Sequence, residues 1–148
     1  MKKRMVVLSA ALLIFSGIAL SQIREIPKIV EETFANQYRG ASDIDFKDQL
    51  VRVDVYFILD GESMIASYTN KGLWKETQKE WSYDKLPEVI KSGFDKSKYA
   101  DREVTETVVL YLPGDIVQYR LKAKKNDVEK KYLYFNSKGR LLRESLAL

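Results

Sequence analysis

Between Ile26 and Phe34 the apolar residues fall at Ile26, Ile29, Val30 and Phe34, a spacing that lines one side of a helix. Pro27 stands at its start, where the missing N–H of proline would have had no partner. The same order, apolar-Pro-x-apolar-apolar-x-x-x-Phe, returns in Leu86-Pro87-Glu88-Val89-Ile90-Lys91-Ser92-Gly93-Phe94. Helices are therefore expected over Pro27 to Tyr38 and Pro87 to Tyr99. From Leu50 to Leu59 the period changes to two. Val51, Val53, Val55, Phe57 and Leu59 point one way and Arg52, Asp54, Tyr56 and Ile58 the other, as in a strand covered on one side only. Asp60-Gly61 is a two-residue hairpin signal. The next strand sets Met64, Ala66 and Tyr68 against Ile65, Ser67 and Thr69, and Asn70-Lys71-Gly72 turns into a strand from Leu73 to Trp81.

After the second helix the pattern comes again. A strand is expected from Arg102 to Leu112, longer than its counterpart Ser42 to Lys47. Val117, Tyr119, Leu121 and Ala123 stand before Asn126-Asp127 as Val51, Val53, Val55 and Phe57 stand before Asp60. Leu133 and Phe135 precede Gly139 as Ala66 and Tyr68 precede Gly72. The pattern predicts an α+β fold, a tandem repeat of a helix followed by an antiparallel β-meander of about sixty residues per copy, with the helices packed on one face of the sheet. The expected organisation is a signal peptide at residues 1–21, a first repeat at 22–83 and a second at 84–148, in one compact domain.

The chain opens MKKRM and continues VVLSAALLIFSGIAL, a cationic patch before an apolar run of about fifteen residues, the length of a signal-peptide core. Spanning a bilayer takes about twenty. Ala19 and Ser21 fit the small-residue cleavage pattern, which makes Gln22 the expected mature N-terminus; an uncleaved anchor is the alternative. Losing Lys2, Lys3 and Arg4 with this segment leaves basic and acidic residues nearly balanced, so the basic pI belongs mostly to the signal. No clustered basic stripe suited to nucleic acid remains, and Lys122, Lys124 and Lys125 read as a solvated hairpin end.

The chain has neither histidine nor cysteine, which removes disulfides, thiolate nucleophiles, imidazole bases and zinc sites with N or S ligands. Asp43, Asp45 and Asp48 lack the glycine and closing acid of a calcium loop. Nothing pairs two carboxylates as glycoside hydrolysis requires. No cofactor, no metal and no catalytic residues are expected. Trp74 is expected in the core and Trp81 over the junction between units.

The candidate chemistry is recognition. If Val53, Val55 and Phe57 face the helices, the opposite face carries Arg52, Tyr56, Arg120, Lys122, Tyr132 and Tyr134, and tyrosine and arginine are enriched at protein interfaces. The same residues also suit an ordinary solvated sheet. These six are the candidate partner-binding residues.

The phrases IPKIVEETFANQY, YTNKGLWKETQKEW, LPEVIKSGF and YFNSKGRLLRES resemble those of exported tandem PepSY-like proteins, grouped by fold with the β-lactamase inhibitory protein. The resemblance runs from about Ile26 to Glu144 and rests on motifs that shape the fold. It implies a small periplasmic or secreted binding module from a Bacteroidetes-type bacterium, with regulation or inhibition of an envelope or secreted peptidase or hydrolase as its role. The inhibitory protein's disulfides have no counterpart here. The expected partner is another envelope or secreted protein; the alternative is a small-molecule or peptide ligand held between sheet and helices.

Overall fold

The structure, a computed structural model, describes residues 24–147. The expected signal peptide lies outside the described residues. Helix α1 spans Lys28–Gln37 and helix α2 Glu88–Asp95, each entered through its proline, Pro27 at φ −59° and Pro87 at φ −55°. Helix α2 stops well before Tyr99. The Ser97 hydroxyl donates to the Phe94 carbonyl at 2.7 Å and accepts from the Tyr99 amide at 3.2 Å, which diverts the chain from the helical path.

The strands are β1 (Ser42–Asp48), β2 (Arg52–Leu59), β3 (Glu62–Thr69), β4 (Trp74–Glu80), β5 (Glu103–Leu112), β6 (Ile116–Lys124), β7 (Lys130–Asn136) and β8 (Leu141–Leu146). They form one eight-stranded antiparallel sheet in chain order. This corrects the expectation of an α+β tandem repeat of helix and meander. The fold is mostly β, with two helices among the described residues of ten and eight residues. Where the sequence suggested a boundary, β4 pairs directly with β5, Thr77 opposite Tyr111 and Glu80 opposite Val108, so the sheet has no break there. Apolar helical stripes weigh heavily in a sequence pattern, whereas strand pairing between distant segments leaves no periodic trace in it.

Turn chemistry sets the register. Asp60 at φ 52° and Gly61 at φ 78° are both left-handed, the type I′ geometry that matches strand twist. Strand β2 starts at Arg52 because Leu50 turns the chain at φ 66°. Its carbonyl accepts from Arg24 Nη1 at 2.7 Å and Asn70 Nδ2 at 2.9 Å, and its amide donates to Asp48 Oδ1 at 2.8 Å. Val51, expected on the buried row, is consequently exposed.

Two apolar clusters lie under the helices. Val30 and Phe34 of α1 pack on Val53, Val55, Phe57, Ala66 and Tyr68, with Trp74 at the margin. Ile90 and Phe94 of α2 pack on Val109, Tyr119, Leu121, Leu133 and Phe135, with Trp81 at the margin. Ile29 and Val89 are about half exposed, and each lies over a hairpin glycine. A Cβ on Gly72 would come within 2.8 Å of Ile29 Cγ1, and one on Gly139 within 3.2 Å of Val89 Cγ2. Gly93 meets Gly139 backbone to backbone, so α2 rests directly on the β7–β8 turn.

Candidate functional site

The face turned away from the helices follows from register. Tyr56 lies opposite Ile65, Ile65 opposite Gln78, and Gln78 opposite Leu110. A neighbouring row runs Glu80, Val108, Arg120, Tyr134 and Arg143 from β4 to β8. Arg52, Tyr56, Arg120, Lys122, Tyr132 and Tyr134 all stand on this face, the first two on β2 and the other four on β6 and β7. Val108, Leu110 and Tyr134 bury one another here, with Tyr132 against them, forming a small second core.

Between these groups the face is hollowed. The hollow has a volume of about 460 Å³, with Tyr56, Ile58, Ile65, Gln78, Val108 and Arg120 in its lining. Tyr56 is 41 % exposed and stands at its rim, whereas Tyr134 is only 9 % exposed. Tyr134 is thus a structural support of the face as well as a part of it.

The charged groups are fixed in pairs. Arg120 Nη2 donates to Glu106 Oε1 at 2.9 Å, and its guanidinium carbon lies 4.8 Å from the centre of the Tyr132 ring. Lys122 shares both partners, 5.4 Å above the same ring and 3.9 Å from Glu106 Oε2. Arg120 Nε is buried without a hydrogen-bond partner among the described residues. Arg143 stacks on Tyr134, its guanidinium carbon 3.3 Å from the ring centre. On β2, Arg52 Nε lies 3.0 Å from Asp54 Oδ1, and the Ser67 hydroxyl donates to the same oxygen at 2.6 Å, so this buried carboxylate is satisfied.

The polar groups on the helix side have a different character. Trp74 Nε1 donates to Thr77 Oγ1 at 2.9 Å, Tyr38 Oη bonds the same hydroxyl, and Tyr68 Oη donates to Gln37 at 2.8 Å. Burial pushes the phenols of Tyr38 and Tyr68 above their ordinary value, which holds them neutral as ties between α1 and the sheet. Among the described residues no group of three or more carboxylates is gathered closely enough to hold a metal ion.

The sequence reading missed Arg143, Glu106, Gln78, Val108 and Leu110 as members of the face. For Val108 and Leu110 a signal existed: Val108-Val109-Leu110 is apolar without alternation, the mark of a strand covered on both faces. Lys75 falls at the register shift that separates the Ser67–Glu76 and Tyr68–Trp74 pairs.

Comparison with known proteins places these features in a family. The profile described as beta-lactamase-inhibitor-like, PepSY-like matches residues 51–143. Among solved structures, a BLIP-like protein from Bacteroides fragilis superposes with a TM-score of 0.76 at 21% identity, over 85% of this chain and 89% of its own. A DUF2874 family protein from Bacteroides ovatus gives 0.75 at 21% identity over 83% and 89%. A protein from Bacteroides eggerthii described as periplasmic gives 0.73 at 21% identity over 83% and 90%. At such identities the likeness is one of fold. No curated protein matches the chain.

Proposed function

We propose a function from one premise: the chain belongs to the beta-lactamase-inhibitor-like, PepSY-like family. It is an exported, non-enzymatic binding protein that takes another envelope or secreted protein on the sheet face turned away from the helices. The observation that carries this reading is the hollow on that face, whose lining sets the apolar Ile58, Ile65 and Val108 beside Tyr56 and Arg120. Apolar side chains together with tyrosine and arginine are the usual composition of a binding hot spot. Regulation or inhibition of a peptidase or hydrolase is the role the family points to. Export is supported by the cationic and apolar N-terminal sequence and by the periplasmic description of the Bacteroides eggerthii relative; no helix among the described residues is long and apolar enough to cross a membrane.

A second reading also has an observation in its favour. The volume of the hollow falls within the range of about 300–1,000 Å³ typical of small-ligand sites, and its apolar lining would suit a peptide side chain.

The test pairs stability with capture. Tagged protein is used to retain partners from envelope extract, beside Tyr56→Ala and Arg120→Ala variants whose thermal unfolding is recorded. Tyr56→Ala is expected to stay within about 0.5 kcal/mol of the parent stability while losing about 2 kcal/mol of binding, roughly thirtyfold. Tyr134→Ala is unsuitable as a probe because its buried ring supports Val108 and Leu110. Undiminished capture by both variants removes this face as the docking site.

A further inference from the structure

Charge on the open face is divided. The central strands β4 and β5 bring Glu76, Glu80, Glu103 and Glu106, whereas β6, β7 and β8 bring Arg120, Lys122, Lys124, Lys130 and Arg143. Glu103 and Glu106 stand opposite Lys124 and Lys122 on the inner side of this group, and Asp127 reaches Lys124 from the turn at 2.7 Å. Beyond them, on β7 and β8, the same face has Lys130, Tyr132, Tyr134, Asn136, Arg143 and Ser145, with no carboxylate. Lys124 and Lys130 are direct cross-strand partners, a like-charge pairing that destabilises a sheet. Arg143 is exposed and makes no hydrogen bond or ion pair among the described residues; its planar fork lies on Tyr134 with its donors unused.

Spacing adds to charge. Tyr132 and Tyr134 are alternate residues of one strand, so their rings stand about 7 Å apart along β7. One ring carries Arg120 and Lys122 and the other carries Arg143. An extended chain repeats its side chains on one face at that same interval. The free donors of Arg143 suit a carboxylate bound in the bidentate manner guanidinium favours.

We infer that the β6–β8 half of the open face recognises an extended acidic segment of the partner protein, with Asp or Glu at alternate positions laid along β7. This rests on the reading of the open face as a protein-binding surface and names the chemistry of what it binds. Arg143 and Lys130 make the specific contacts. Lys122 and Arg120, already engaged with Glu106, add field more than new bonds.

The experiment is an NMR titration of the 15N-labelled protein with three synthetic peptides of equal length: one alternating Glu with Thr, one with Gln in place of each Glu, and one with Lys. The alternating Glu peptide is expected to bind at least ten times more tightly than the Gln peptide, with amide shifts centred on β7 and β8. Binding should weaken as salt is raised. Arg143→Gln should reduce affinity by about tenfold, and Lys28→Gln, on α1 at the other side of the sheet, should leave it unchanged. Equal binding of the Glu and Gln peptides overturns the inference, as does Glu-peptide binding indifferent to Arg143→Gln and Lys130→Gln. Tighter binding of a single-stranded oligonucleotide of similar length assigns the strip to phosphate and overturns it also. If no peptide binds while Tyr56→Ala still abolishes partner capture, the acidic-segment inference alone falls. If capture is unaffected as well, the open-face reading falls with it.

Discussion

Replacing Gly93 by alanine sets two effects of opposite sign against each other. Gly93 lies in α2 with ordinary helical backbone, so alanine there should gain about 1 kcal/mol of helix propensity. Its Cβ, however, would lie 2.9 Å from the carbonyl carbon of Gly139 and 3.1 Å from its Cα, with the carbonyl oxygen closer still. Carbon contacts are comfortable at about 3.5–4.0 Å, so α2 and the β7–β8 turn must part by roughly 1 Å. Both sides of the contact are backbone, and no flexible side chain can absorb the change. Parting them also lifts Ile90 and Phe94 from Leu121, Leu133 and Phe135, with which they are buried in one cluster. Overpacking of this kind costs about 1–3 kcal/mol and more when backbone must move, which exceeds the propensity gain. The expected net loss is about 2 kcal/mol, or roughly 5–10 °C in Tm for a chain of this size. Urea unfolding followed by tryptophan fluorescence measures it, since Trp81 lies against this cluster. Gly61→Ala is the comparison: its Cβ meets nothing within 4 Å, and only the left-handed φ of 78° opposes it, at about 1 kcal/mol. A Gly93→Ala protein as stable as the parent would refute the close approach of helix and turn.

Phe34→Ala and Phe94→Ala, at 2 % and 4 % exposure, should each cost about 3–5 kcal/mol in chemical denaturation. Glu144 bonds Lys131, Lys98 and the Tyr99 hydroxyl, with Lys131 the largest influence, and these hold its carboxyl down at about 2 against an ordinary 4.5. Its folded value is depressed, so its contribution is present above about pH 4.5 and is lost as pH falls towards 2; Glu144→Gln should flatten that part of the stability profile measured by acid titration. Mass spectrometry of the exported protein should find Gln22 as the first residue, and an intact Met1 chain in the membrane fraction would replace the signal with an anchor.

Local instructions were legible in the sequence and long-range ones were not. Asp60-Gly61 announces its turn because two successive left-handed residues favour that pair, and the prolines mark where α1 and α2 begin. Alternation put Tyr56, Arg120 and Tyr132 on the correct side of their strands because a strand's period leaves no other choice. The union of β4 with β5 was invisible, since it joins residues about thirty apart that share no periodic mark. So was the burial of Tyr134, which depends on Val108 and Leu110 two strands away. The left-handed Leu50 was hidden as well: its conformation is held by Arg24, Asp48 and Asn70, which only the folded chain brings together.

That every strand pairs with the strand before it bears on how the molecule comes to exist. Each addition closes only a hairpin or, once, a loop containing α2, and the entropy of closure stays small throughout. Sheets whose first and last strands must meet have to wait for the whole chain; this one need not. Folding should be quick for a β protein, and a polypeptide delivered end-first could add strands in the order they arrive, each new one shielding the edge of its predecessor.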